Sequence, residues 1–324
     1  REIMDRGNQI FQDMRGYSLL DIMFGESRLL NLTENTQPAV FLSSAAIYTD
    51  LAARGFSPDR FIGHSVGEYT ALYCAGMLDF EPAMRLIVKR ADFMKAATEV
   101  QPGRIMVVFK NADSVLQLIR DARIPNIYVA NKNSENQTAV SGAQEAIEAF
   151  AAYLKTAKVM FKALALSGAF HTPLFQSASE KMADYLRGVA FRPVDFRRVI
   201  SNVTAAPYPE DADAVKTLLV RQIVSPVEFI HSVEQVYRSG HNRFFEIGPG
   251  RILVNLLKNI NIDDFQALPS VNAKVGEVAS LQDFKTQLET QGLLKKTPPT
   301  GDTGNRIVPV PTPKTTPSQP AMAD

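Results

Sequence analysis

Apolar and polar positions follow three successive rhythms along this chain, and each predicts its own architecture. Over residues 1–100 the spacing is helical. Ile3, Ile10, Phe11 and Met14 mark a first helix. Thr36-Gln37-Pro38-Ala39-Val40 opens a long small-residue helix running toward Leu51. From Leu78 to Ala97, Met84, Leu86, Ile87 and Val88 are set against Arg85, Lys89 and Arg90, a helix with one charged face. Between the last two, Arg60-Phe61-Ile62 reads as a short buried strand, and Tyr69 to Gly76 as a helix rich in small and apolar residues.

Residues 104–166 change rhythm. Arg104–Phe109, Ile127–Ala130, Thr138–Ser141 and Val159–Leu164 alternate as strands, with helical stretches at Ser114–Ala122 and Gln144–Leu154. The order β-α-β-β-α-β is the split βαβ pattern and predicts a compact ferredoxin-like insert. From 167 to 290 the chain returns to mixed α/β, with strands at Arg198–Asn202 and Arg243–Ile247. Gly248-Pro249-Gly250 turns the second strand into a helix from Arg251. Past Lys296 the composition collapses to Pro, Thr, Ser and Gly, with seven of the 19 prolines between Pro298 and Pro320, which predicts an extended, disordered linker. The expected division is a discontinuous α/β core (1–103 and 167–295), an insert (104–166) and a linker (296–324).

Composition narrows the function. The 324 residues suffice for a sizeable core. Thirty-five Lys and Arg face 34 Asp and Glu, so no overall field favours nucleic acid or an anionic membrane. No apolar run reaches membrane-spanning length. The single cysteine, Cys74, excludes an internal disulfide and fits a reducing, cytoplasmic compartment. The chain starts at Arg1, already inside a helical pattern, and reads as a piece of a longer polypeptide.

Gly63-His64-Ser65-Val66-Gly67-Glu68 places one serine where the Phe61-Ile62 strand turns into a helix. G-x-S-x-G at such a junction is a nucleophile elbow: glycines permit the tight approach, and the helix N-terminus faces a developing oxyanion. A serine needs a base. Of the four histidines, His64 is next to Ser65, so its side chain points away and serves structure or a cleft wall. His231 and His241 read as surface residues. His171 lies in Ser167-Gly168-Ala169-Phe170-His171-Thr172-Pro173, a small-residue loop where the insert returns to the main body, and is the candidate base. No acid follows in the Ser…Asp…His order, so a backbone carbonyl is left as a possible acceptor for the imidazole Nδ1–H. No metal-ligand spacing occurs.

Together these segments resemble the malonyl-CoA:acyl carrier protein transacylases and the acyltransferase domains of polyketide and polyunsaturated fatty acid synthases, over roughly 15–290. The motifs that carry the resemblance are Gly63–Glu68, Val88-Lys89-Arg90-Ala91-Asp92-Phe93-Met94, Gly168-Ala169-Phe170-His171, Arg221-Gln222-Ile223, Asn131-Lys132-Asn133-Ser134, Thr36-Gln37-Pro38 and Glu246-Ile247-Gly248-Pro249-Gly250. The resemblance implies a hydrolase-like core with a mainly parallel sheet flanked by helices. It also implies an N-terminal strand and a Gly-Gln-Gly-Ser-Gln loop that would precede Arg1, the loop supplying one oxyanion donor.

It further implies Ser65 as acyl carrier, His171 as base, the Gln222 main-chain carbonyl as its support, and Val66 N–H as an oxyanion donor. Arg90 would bind the malonyl carboxylate, and Phe170 would narrow the space at the substrate α-carbon. His64, Gln37, Asn131 and Asn133 would line the cleft. The implied reaction moves malonyl from malonyl-CoA to the phosphopantetheine thiol of an acyl carrier protein, beside domains such as a ketosynthase and with no bound cofactor. Two other readings use the same residues: a serine hydrolase or editing thioesterase, and a non-catalytic synthase scaffold.

Overall fold

The computed structural model describes residues 1–25 and 28–295. The Pro/Thr-rich stretch 296–324 lies outside them. The first three helices are α1 (Glu2–Arg15), α2 (Leu19–Phe24) and α3 (Thr33–Ala53). In α1 the apolar stripe buries Ile10 and Phe11, and Gly16 ends the helix in the left-handed conformation with φ 80°. Helix α3 starts three residues before the expected Thr36. Its N-cap is Leu32, with no side-chain cap bond, so the usual start signal is missing.

The short strand β1 (Phe61–Ile62) leads through Ser65 into α4 (Val66–Cys74). Helix α5 (Phe80–Val100) buries Met84, Leu86, Ile87, Val88 and also Arg90. The charged face read from the sequence therefore holds one residue that points inward. Arg85 and Lys89 stay part-exposed.

The next segment runs β2 (Gly103–Val108), α6 (Ala112–Ala122), β3 (Ile127–Ser134), β4 (Gln137–Ala143), α7 (Gln144–Thr156) and β5 (Phe161–Ser167). Its four strands form one sheet in the order β3-β4-β2-β5, with neighbouring strands antiparallel. The element order is the β-α-β-β-α-β series expected from the sequence. Val108, Val115, Val140, Phe150 and Leu154 give this segment a hydrophobic cluster of its own. It is tied to the rest of the chain through β3, whose free edge pairs with Val227: Val227 N–H donates to Ala130 O at 2.9 Å, and Lys132 N–H to Val227 O at 2.9 Å.

The chain closes with α8 (Gln176–Leu186), β6 (Val199–Ile200), α9 (Ala212–Gln222), α10 (Phe229–Arg238), β7 (Arg243–Glu246), α11 (Ile252–Leu257), β8 (Gln266–Pro269) and α12 (Glu277–Thr290). The mainly parallel sheet appears as two separate parallel pairs, β1 with β6 and β7 with β8. The spacing predicts a strand over Arg198–Asn202, but within it only Val199 and Ile200 pair with β1, which offers only Phe61 and Ile62. Beyond them Asn202 is taken by the elbow rather than by a ladder. The main hydrophobic cluster packs Phe11, Phe41, Leu42, Leu72, Met84 and Phe175 with no exposed surface. Truncating one of those phenylalanines to alanine costs about 3–5 kcal/mol. Among the described residues no helix is long and apolar enough to cross a membrane.

Candidate active site

Ser65 stands between β1 and α4 with φ 53° and ψ −112°, a conformation that costs a side-chain-bearing residue energy and persists only where the surroundings enforce it. Gly63 makes the turn possible. A Cβ there would lie 2.1 Å from both the Gly67 carbonyl carbon and the Glu68 nitrogen, atoms that cannot move aside. Gly67 differs from expectation, because a Cβ at that position meets nothing within 4 Å. Only the first glycine of the motif is required by space. Asn202 clamps the elbow from outside: Ser65 N–H donates to its Oδ1 at 2.8 Å, and its Nδ2 donates to Gly63 O at 2.7 Å. Val66 opens α4, where backbone N–H groups have no intrahelical acceptor.

His171 reaches Ser65 from the loop after β5. It is 3 % exposed and has φ 59°. Its Nε2 lies 2.8 Å from Ser65 Oγ. Its Nδ1 lies 2.9 Å from the main-chain oxygen of Gln222, the last residue of α9. A carbonyl can only accept, so Nδ1 carries the proton and Nε2 presents a lone pair to the serine hydroxyl. Burial, then the charge of Arg90, push the imidazole from its ordinary 6.5 down to about 3, against the pull of the Gln222 bond. The ring is a neutral base at pH 7.

Arg90 comes from the middle of α5 and is 1 % exposed. Its Nη2 donates to Ser65 Oγ and to Gln222 Oε1, both at 3.2 Å, and its Nη1 donates to Gln37 Oε1. The guanidinium lies over the Tyr69 ring, 5.0 Å from its centroid. Its partners are neutral. Among the described residues no carboxylate forms an ion pair with it, and its buried Nε has no acceptor. The nearby Glu68 carboxyl acts on it only at a distance, and a buried cation with no carboxylate in direct contact is costly unless something anionic arrives. The arrangement therefore joins a serine, a neutral base and an anion-seeking fork around one oxygen atom, which suits acyl transfer to or from an anionic acyl group.

The acyl transferase domain family matches residues 1–296. The chain belongs to that family. It is an acyltransferase, and its relatives agree. A malonyl CoA-acyl carrier protein transacylase from Staphylococcus aureus is 34 % identical over 277 residues, which cover 83 % of this chain and 85 % of that protein. The polyketide biosynthesis protein PksE of Bacillus subtilis is 34 % identical over 264 residues, 80 % of this chain and 33 % of that longer protein. Among solved structures, a malonyl-transacylase in complex with a type II polyketide acyl carrier protein superposes with a TM-score of 0.78 at 31 % identity, covering 87 % of this chain and 92 % of that one.

The remaining candidates fall into two places in this acyltransferase. Gln37 sits at the site, accepting from Arg90 while its Nε2 donates to Thr33 Oγ1 at 2.8 Å. His64, Asn131 and Asn133 form a cluster of their own. His64 Nε2 is 2.9 Å from Asn133 Oδ1 and 3.4 Å from Asn131 Nδ2, and its ring packs on Phe229. That cluster joins the elbow to β3. Phe170 is buried next to His171 and packs edge-on against Phe175, centroids 5.3 Å apart. His231 is exposed and meets Glu228. The sequence did not single out Asn202 or Tyr208, and it gave Glu68 only as a flank of the motif. Glu68 has no exposed surface, and it accepts from Tyr208 Oη, from Asn202 N–H at 2.9 Å and from Gln222 Nε2 at 2.6 Å.

Proposed function

We propose that this acyltransferase moves a malonyl group from malonyl-CoA to the phosphopantetheine thiol of an acyl carrier protein through a Ser65 acyl-enzyme. The observation that carries the reading is Arg90, a buried guanidinium with no direct ion pair among the described residues, bonded to the hydroxyl that His171 also holds. His171 Nε2 takes the Ser65 proton as Oγ attacks the thioester carbonyl. The tetrahedral oxyanion forms at the start of α4, where Val66 N–H is one donor. The intermediate expels the CoA thiolate, which leaves with the proton from His171. The carrier thiol then attacks the acyl-serine, giving its proton to Nε2, and Ser65 leaves with that proton. Arg90 fixes the free carboxylate as a bidentate fork.

Phe170, beside His171, narrows the space at the substrate α-carbon, and His64, Asn131 and Asn133 belong to the wall between elbow and insert. Residues 104–166 serve as a ferredoxin-like subdomain that forms one side of the cleft. Neighbouring synthase domains such as a ketosynthase belong to the same proposal and rest on the family resemblance.

Incubation with acyl-labelled malonyl-CoA tests it. The parent protein should carry one malonyl adduct on Ser65, and Ser65→Ala should carry none; equal labelling of the two would overturn the reading. Supplying a carrier protein then separates transfer from hydrolysis, since malonylated carrier supports transfer and free malonate alone supports an esterase.

A further inference from the structure

Three segments far apart in sequence hold the reacting groups, and all three converge on Glu68. From the first turn of α4, Glu68 itself sits three residues past Ser65, and its N–H donates to Ser65 O at 3.1 Å. From the end of β6, Asn202 gives its backbone N–H to one carboxylate oxygen, while its side chain bridges Ser65 N–H and Gly63 O. From the end of α9, Gln222 gives Nε2 to the other oxygen at 2.6 Å and to Ser65 O at 2.9 Å. The Oε1 of Gln222 accepts from Arg90, and its main-chain oxygen holds His171. Tyr208 Oη supplies the third donor.

Among the described residues no cation lies within ion-pairing distance of Glu68. Burial pushes its pKa up to about 7, against the pull of the Tyr208, Asn202 and Gln222 donors and of the Arg90 charge, so it is a buried carboxyl group held by neutral donors. Such a group is expensive to bury, and an isosteric amide would be cheaper if only space had to be filled. The amide fails on hydrogen-bond grounds. Glutamine at 68 would replace one of the two acceptor oxygens with an NH₂, while donors already face both: Tyr208 and Asn202 one oxygen, Gln222 the other. Its NH₂ would meet the NH₂ of Gln222, forcing the Gln222 amide to turn over. Its NH₂ would then face Arg90 and leave Ser65 O.

We propose that Glu68 is a positioning residue for the acyl transfer, holding the Ser65 elbow through Asn202 and the Arg90–His171 support through Gln222. This rests on Ser65 being the nucleophile. The test uses the whole chain and two readouts: the second-order rate at which a fluorophosphonate serine reagent modifies Ser65, and kcat and KM for malonyl transfer. Glu68→Gln should slow both modification and kcat by about 10²-fold, the cost of misplacing a reacting group by about 1 Å, with a rise in KM alongside because the turned Gln222 amide no longer accepts from Arg90. Tyr208→Phe leaves the carboxylate two of its donors and should fall between parent and Glu68→Gln; it carries the test if Glu68→Gln does not fold.

A folded Glu68→Gln with parental modification rate and kcat overturns the proposal. So does a Tyr208→Phe variant with parental rates where Glu68→Gln is unfolded, or a loss confined to KM. A parent protein modified at Ser65 but never malonylated would sink the malonyl reading alone and leave the reagent rates to decide the role of Glu68. A parent protein unmodified at Ser65 overturns both.

Discussion

Arg90 and His171 meet at one atom: Nη2 of the first lies 3.2 Å and Nε2 of the second 2.8 Å from Ser65 Oγ. A fixed cation this close opposes the imidazolium that catalysis must form. After burial, it is the second cause of the low His171 pKa, about 3 against an ordinary 6.5. The sign is that of a base held in its neutral form, so protonation of the free protein waits until the pH falls toward 3. On the proposed reading, a carboxylate bound by Arg90 would offset that repulsion and raise the imidazole pKa as the substrate arrives.

A malonyl group should then assist the base while an acetyl group should not, so selectivity should appear in kcat as well as KM. In the unliganded protein the His171 ring signals should show no titration step between pH 5 and 8; a step near 6.5 would contradict the coupling. With malonyl-CoA the acid limb of kcat should lie above the pKa of unliganded His171. Arg90→Ala should raise the His171 pKa toward 6.5. It should also lower kcat/KM for malonyl-CoA by about 10²-fold, from the lost charged hydrogen bonds, and abolish the preference over acetyl-CoA. Unchanged selectivity would remove Arg90 from the substrate.

The legible part of this site was what local chain geometry determines. A serine at a strand-to-helix turn and a histidine in a small-residue loop can each be seen within a few residues, whereas Arg90 reads locally as one more charge on an amphipathic helix and only the family resemblance singles it out; its inward direction is set by packing. The direction of His64 was also legible, because adjacent side chains at an elbow diverge. The Glu68 network was not. Its partners Asn202, Tyr208 and Gln222 lie 134, 140 and 154 positions away, and nothing in the sequence says which distant donors converge on a buried acid. The sheet was overread for a similar reason. Val199 and Ile200 have the same β-branched character as longer strands, but ladder length is set by the partner, and β1 offers two residues.

Phe170, next to His171 in the chain, belongs to the main core, packed on Phe175 and tight against position 168, where a Cβ would come 2.6 Å from its ring. Replacing it with serine opens space beside the base. A pocket rejects an added methyl mainly by exclusion, so Phe170→Ser should raise the methylmalonyl-to-malonyl ratio of kcat/KM by no more than about 10–200-fold. The lost packing should lower stability by about 3–5 kcal/mol, the range for truncating a buried phenylalanine. Competition between the two CoA thioesters, alongside thermal unfolding, measures both effects. A lower melting temperature with an unchanged ratio would assign Phe170 to packing alone.

The two glycines of the elbow motif should behave oppositely when each is changed to alanine. At Gly63 the added carbon would strike backbone atoms of Gly67 and Glu68 at 2.1 Å, so the turn must open and Ser65 must leave its place between His171 and Arg90. Gly63→Ala should therefore slow fluorophosphonate modification of Ser65 by about 10²-fold or more, since a displacement of about 1 Å is enough for that. At Gly67 the added carbon meets nothing within 4 Å and lies in the first turn of α4. Alanine there loses less backbone entropy on folding, so Gly67→Ala should keep the reagent rate and gain up to about 1 kcal/mol in stability. If Gly63→Ala kept its Ser65 reactivity while Gly67→Ala lost it, the steric account of the elbow would be wrong, and the motif's second glycine would be the one its turn requires.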